Sequence, residues 1–201
     1  MKKRSIDILN MVNEEFIISI LKGNSKNISL FYDYYSPYLY TTIYRYVSNI
    51  QDTEDLLQDT LIKILESLKN FTFTNEQMFK SWMIKIAINN ALNFIRQKSK
   101  FDTIDDFSFE YLKDDETEDE ETPIHELSPK ELFSLITELP IGYKTVFNLF
   151  VLENYSHKEI ANLLNISENT SKTQLLKARK LLKNKIEQKY SYIKKIEYGK
   201  V

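Results

Sequence analysis

No cysteine occurs in the 201 residues, which excludes disulfides, cysteine-ligated zinc and thiol nucleophiles. Glycine appears three times and proline four times. Long stretches therefore run without a breaker, which favours helices over a turn-dense β fold. Long apolar runs are also missing, since none approaches the roughly 18 residues of a membrane span. The opening MKKRSIDILNMVNEEF is basic and then apolar, as a secretory signal would be. Asp7, Asn10, Asn13, Glu14 and Glu15 interrupt it, however, and no small-residue cleavage site follows. The expected setting is the cytoplasm, with no membrane insertion. Only two histidines occur, His125 and His157, and neither has a nucleophile partner nearby in sequence. There is no glycine-rich phosphate loop, and the acidic run lacks the glycine and spacing of a calcium loop. The expectation is no catalytic residue, no metal site and no cofactor.

What is present is a segregation of charge. The net charge of −2 conceals three blocks. Residues 1–100 carry 13 Lys/Arg against 10 Asp/Glu, residues 101–126 one Lys against 12 Asp/Glu, and residues 127–201 13 Lys/Arg against 7 Asp/Glu. Like charges as dense as those of FDTIDDFSFEYLKDDETEDEETPIHE repel one another and oppose compaction. This block reads as a linker, with Phe101, Phe107, Phe109 and Tyr111 as scattered docking aromatics. Two mildly basic blocks flank it, and local charge is what attracts phosphate.

Before the linker, four helical segments are expected. The first lies near Glu14–Lys22 and is closed by Gly23. The second lies near Ile28–Val47, with Pro37 bending or restarting it and its aromatics forming core. The third begins at Asp52, its first turn filled by Thr53, Glu54 and Asp55, which suits the helix dipole. Leu56, Leu57, Leu61, Ile62, Ile64, Leu65 and Leu68 then follow helical spacing. After a break over Phe71–Gln77, a fourth helix spans about Met78–Lys98. Its apolar stripe includes Phe79, Trp82, Met83 and Ile86, and Trp82 reads as core.

After the linker, Ser128-Pro129-Lys130-Glu131 combines an N-cap, a proline at the first position and a reciprocal glutamate. That helix ends before Pro140. Another covers about Gly142–Glu153, with Val146, Phe147, Leu149, Phe150 and Leu152 as core candidates. Ser156-His157-Lys158-Glu159 is a second capping box.

The stretch SHKEIANLLNISENTSKTQLLKARKLL meets the demands of a helix-turn-helix. Ala161 is small where the helices must cross. Asn165 tolerates left-handed geometry. Ile166 plugs the turn and Ser167 caps the second helix. Leu175, Ala178 and Leu182 form its inner face. Lys172, Thr173, Gln174, Lys177, Arg179 and Lys180 form the expected outer face. Nine Lys/Arg and one acid, Glu187, fall between Lys172 and Lys195. Such a helix can enter a major groove, read base edges with its first turns and grip phosphates elsewhere.

This stretch resembles the promoter-recognising helix-turn-helix, region 4, of extracytoplasmic-function (ECF) RNA polymerase sigma factors. DTEDLLQDTLIKILESLKNF resembles their region 2.2, and FKSWMIKIAINNALNFIRQKSK their regions 2.3–2.4. Three blocks in family order, around a charged linker, make a specific match. The resemblance implies an all-α fold of two small helical domains. Region 2 would span 8–100, the acidic linker 101–127, and region 4 128–190.

It further implies a non-catalytic subunit that binds core RNA polymerase and directs promoter-specific initiation through −10 and −35 elements. Asp55, Leu56, Gln58, Asp59 and Lys63 match positions that bind the clamp helices of the polymerase's largest subunit. Phe73, Thr74 and Asn75 match the pocket that holds a base of the opened −10 element. Lys80, Lys85, Asn89, Asn93 and Arg96 match positions along the strand and duplex edge. Lys172, Thr173, Leu176 and Lys177 match positions facing −35 bases, Gln174 and Arg179 phosphate contacts, and Lys180 the rest of that basic face. The linker would thread the polymerase's RNA path, and an anti-sigma factor would be the regulator.

Asn165 stands where the family usually has glycine, Gln174 where it often has arginine, and Ser171 where it usually has a β-branched apolar residue. The Ser171 hydroxyl is expected to bond back to a carbonyl of its own previous turn. Two other readings compete. A dimeric helix-turn-helix repressor or activator would leave the region 2 blocks unexplained, and a helical adaptor would leave the basic helix unexplained.

Overall fold

The computed structural model describes residues 12–101 and 128–198. Every regular element among the described residues is helical. They form two compact units, with the first ending at Phe101.

In the first unit, helix α1 (Glu14–Leu21) starts at Asn13, whose Oδ1 accepts the amide of Phe16 at 2.9 Å. Gly23 ends the segment at φ 78°, a left-handed conformation that costs glycine little. Helix α2 (Ser25–Val47) runs unbroken through Pro37, so the proline does not restart it. An interior proline costs about 3 kcal/mol. Here it sits on the exposed side, while Phe31, Tyr35, Leu39, Ile43 and Tyr46 make one buried stripe across it. Each such burial contributes about 1.5–3 kcal/mol, so the stripe outweighs the proline. Not all of the aromatics are core, however, because Tyr32 and Tyr38 are exposed.

Ser48, at φ 55°, turns the chain into α3 (Ile50–Ser67). This helix starts before Asp52. Its cap is Asn49, whose Oδ1 accepts the Asp52 amide at 2.9 Å. A short 3-10 turn, Leu68–Asn70, follows. The irregular segment 71–75 leads into α4 (Glu76–Phe101), which Asn75 caps by accepting the Met78 amide at 2.9 Å. Helices α2, α3 and α4 pack on one another, with Ile64, Phe79, Met83, Ala87, Ile88 and Ala91 almost wholly enclosed.

In the second unit, α5 (Pro129–Thr137) carries the expected capping box. The backbone N–H and hydroxyl of Ser128, then Lys189, hold the Glu131 carboxyl down at about 2. Helix α6 (Ile141–Phe147) passes into a π turn, Asn148–Leu152, in which the Glu153 amide donates to the Asn148 carbonyl at 3.1 Å. This replaces the single helix expected over 142–153. The wider turn keeps Val146 and Leu149 buried and leaves Leu152 exposed, correcting its assignment to the core. Lys144 is buried, and its Nζ donates to the Thr137 carbonyl at 3.1 Å, satisfying the end of α5. Burial pushes its pKa down.

Helices α7 (His157–Leu164) and α8 (Glu168–Tyr198) complete this unit. Its core joins Leu135, Ile136 and Leu139 to Ala178, Leu182 and Ile186 of α8.

Candidate nucleic-acid interface

The helix-turn-helix is assembled from short-range signals. Ser156 and Glu159 form the reciprocal box that starts α7. Asn165 adopts φ 56°, ψ 48°, which lets the Ile166 amide reach the Ala161 carbonyl at 3.0 Å. Ser167 Oγ accepts the Thr170 amide at 2.9 Å and opens α8. Leu175, Ala178 and Leu182 are buried against the rest of the unit.

The outward side of α8 carries Lys172, Thr173, Leu176, Arg179 and Lys180, all exposed, with Lys177 half-buried. Leu176 is 58% exposed. Gln174 is not on this side, which corrects its outward assignment. It is buried, and its amide packs beside Gly142 of α6. Two residues beyond Lys172, Gln174 lies about 200° further round the helix, on the side that faces Gly142 of α6.

Ser171 is fully buried, and its hydroxyl lies 2.9 Å from Nδ1 of His157. Its partner is therefore an imidazole on α7 rather than a carbonyl of its own helix. Phe150, in the π turn, stacks on that imidazole at 4.5 Å between centroids. Burial, then Lys172 and Arg179, push the His157 pKa down, while Glu168 opposes them. The sequence marked Ser171 as a departure but not its partner, because the two residues are 14 apart and on different helices.

In the first unit, Asp55, Gln58 and Asp59 are exposed and share one face of α3. Leu56 is buried, so it supports that face from beneath. Lys63 is exposed along its stem but donates to Asn90 Oδ1 on α4. Ile62, one of the apolar residues at helical spacing, is 55% exposed on the same face as Asp59. Apolar periodicity alone could not single it out, because Leu61 and Ile64 flank it.

Along α4, Lys85, Asn89, Asn93 and Arg96 are exposed at spacings of four, four and three. Arg96 donates to Asn93 Oδ1 at 2.9 Å. Lys80 lies apart from this stripe. It pairs with Glu76 at 2.6 Å and sits 5.6 Å from the centre of the Tyr34 ring. In segment 71–75, Thr74 and Asn75 are exposed, and Asn75 uses its Oδ1 as the helix cap. Phe73 is half-buried, edge-on to Phe79 at 6.3 Å. Trp82 is also half-buried, packed 4.5 Å from Phe71 and stacked on Phe79 at 5.8 Å. An aromatic wall thus stands behind the segment. His125 and the linker, apart from Phe101, lie outside the described residues. No group of metal ligands and no helix long and apolar enough to cross a membrane occur among the described residues.

Residues 31–101 match the sigma-70 region 2 family model, and residues 130–182 match sigma-70 region 4. The chain is 34% identical over 145 residues to RNA polymerase sigma factor SigV of Bacillus subtilis, covering 72% of this chain and 81% of that one. It is 27% identical over 185 residues to the ECF RNA polymerase sigma-E factor of Haemophilus influenzae, covering 88% and 96%. The sigma factor RpoE from Bartonella quintana, solved with the anti-sigma factor NepR, aligns with a TM-score of 0.46 at 18% identity, over 79% of this chain and 96% of that one. The chain belongs to the sigma-70 family of RNA polymerase sigma factors, in its extracytoplasmic-function group.

Proposed function

We propose that the two units divide promoter recognition between them while the first also docks on core RNA polymerase. The observation that carries this is a pair of surface stripes, the exposed Lys85–Asn89–Asn93–Arg96 on α4 and the exposed Lys172–Thr173–Leu176 with half-buried Lys177 on α8. The α8 stripe opens a capped helix, so its first turns can reach base edges of a −35 element while Arg179 and Lys180 grip phosphates. The α4 stripe would hold the −10 strand, with Thr74 and Phe73 at the segment where a base leaves the stack. Gln174 has no part in phosphate contact in this reading. Lys80 contributes charge only through its pair with Glu76, and Asn75 acts first as a cap.

Asp55, Gln58, Asp59 and Ile62 form the polymerase-docking face, aimed at the clamp helices of the largest subunit. Leu56 fixes that face from inside, and Lys63 ties it to α4. The apolar Ile62 among acids suits a protein partner better than DNA, which would be repelled there. An anti-sigma factor that covers these faces in the cytoplasm is the regulator we infer. Catalysis has no place in the scheme. The one Ser–His pair described, Ser171 with His157, has a fully buried hydroxyl that no substrate reaches.

The test combines the purified chain, core polymerase and a promoter library. Specific initiation supports the reading. Specific DNA binding without polymerase favours a conventional repressor or activator, and the absence of both, with no co-purification with polymerase, overturns both readings. Lys177→Ala should weaken discrimination at the upstream element. Asp59→Ala should weaken polymerase binding without changing sequence preference, and unchanged affinity would refute the assignment of α3.

A further inference from the structure

We propose that His157 is a positioning residue for −35 recognition, acting through its hydrogen bond to Ser171. This rests on the reading of α8 as the base-facing helix. Where a β-branched apolar side chain would hold the start of such a helix by packing, this chain uses a directional bond of 2.9 Å. Packing tolerates small rotations, whereas a hydrogen bond weakens steeply as its angle departs from linear. Ser171 immediately precedes Lys172 and Thr173, so fixing its inward direction fixes theirs outward.

The imidazole is itself held in several ways. Its backbone begins α7 directly after the Ser156 cap, and Phe150 sets the ring plane at 23° to its own. Ser171 then meets Nδ1. The neutral ring can donate or accept at Nδ1, whereas the imidazolium only donates. Charged groups facing the ring come from α8: Lys172 and Arg179 disfavour its protonation, and Glu168 favours it. Protonation would also set a third cation beside two that are meant for DNA.

The experiment uses the full chain with core polymerase. Open-complex formation is compared on promoters with an intact or a scrambled upstream element, between about pH 8 and pH 5.5. The variants are Ser171→Ala, His157→Phe, which keeps a stacking ring but loses the bond, and His157→Gln, which keeps a polar partner without a titrating ring. Ser171→Ala and His157→Phe should each lower the intact-to-scrambled ratio about three- to tenfold. The double variant should fall no further than the worse single. His157→Gln should keep most of the ratio and lose its dependence on pH. A merely structural role would instead lower Tm and reduce complex formation on both promoters alike, and that result overturns the proposal, as do additive losses. Should one variant fail to fold, imidazole nitrogen shifts in the Ser171→Ala chain still decide: an unchanged His157 titration overturns the bond. A wild-type chain that ignores the upstream element overturns the promoter reading as well, whereas discrimination untouched by every variant overturns the positioning role alone.

Discussion

Asn90 of α4 donates to Oγ1 of Thr60 on α3 across 3.0 Å, inside a core where Thr60 is fully buried. The same amide reaches the Leu56 carbonyl at 3.4 Å, and its oxygen accepts from Lys63. One side chain thus ties the α4 stripe to the face bearing Asp55, Gln58 and Asp59. Removing one partner strands a buried polar group, which costs more than removing both. Asn90→Ala is expected to destabilise the first unit by about 2 kcal/mol, and Thr60→Val by about 1 kcal/mol. Combined, they should cost less than their sum. Denaturation followed by fluorescence of Trp82 reads this unit alone, because the chain has one tryptophan.

Asn165 at φ 56° closes α7 in a conformation that costs an ordinary L-residue about 1–2 kcal/mol. Asn165→Gly is therefore expected to leave Tm unchanged or raise it slightly. Asn165→Val should destabilise the second unit by at least that 1–2 kcal/mol cost. Thermal unfolding by circular dichroism, with hydrogen exchange of the α7 and α8 amides, measures both.

A folded-state pKa held below the ordinary value of 6.5 means that folded His157 binds fewer protons than the unfolded chain as pH falls. Its contribution to stability is present above 6.5 and is lost progressively below it. The second unit should melt at lower temperature as pH drops from neutrality through 6.5, and His157→Gln should flatten that dependence. A melting curve that stays level in the wild type would refute the depressed value.

Gln174 and Lys177 are three residues apart and face different surroundings. Gln174→Ala should lower stability by about 1 kcal/mol and leave the salt dependence of DNA binding intact. Lys177→Ala should do the reverse, with little change in Tm and, if it meets a phosphate as well as a base, a salt slope shallower by about one. Equal salt slopes for the two variants would show that burial of Gln174 does not persist on DNA.

Legibility in the sequence followed the range of the interaction. Both capping boxes, the left-handed Asn165 and the Ser167 cap are set within a few residues, and all were readable from composition and spacing. Features decided by distant neighbours were not. Pro37 looked like a break because the buried stripe that overrides it is a property of the packed unit. Asn49, rather than Asp52, starts α3 because a short amide side chain closes the cap, a choice that acidic enrichment concealed. Ile62 and Leu152 kept core spacing yet reached the surface, the first beyond the width of the buried stripe, the second through the π turn. Gln174 sits among cations in sequence, yet its burial beside Gly142 is set by α6, 32 residues away.

That π turn reaches further than its five residues, Asn148–Leu152. A turn that closes one bond late holds an extra residue, and the residues after it are shifted in phase around the helix axis. Phe150 lies inside that turn and stacks on His157. In the proposed reading, the aim of α8 then depends in part on main-chain geometry at residues 148–152, through the contacts of Phe150 with His157 and of His157 with Ser171. On that reading, a one-residue change of length in the turn should alter discrimination at the upstream element even though no base-facing residue is exchanged.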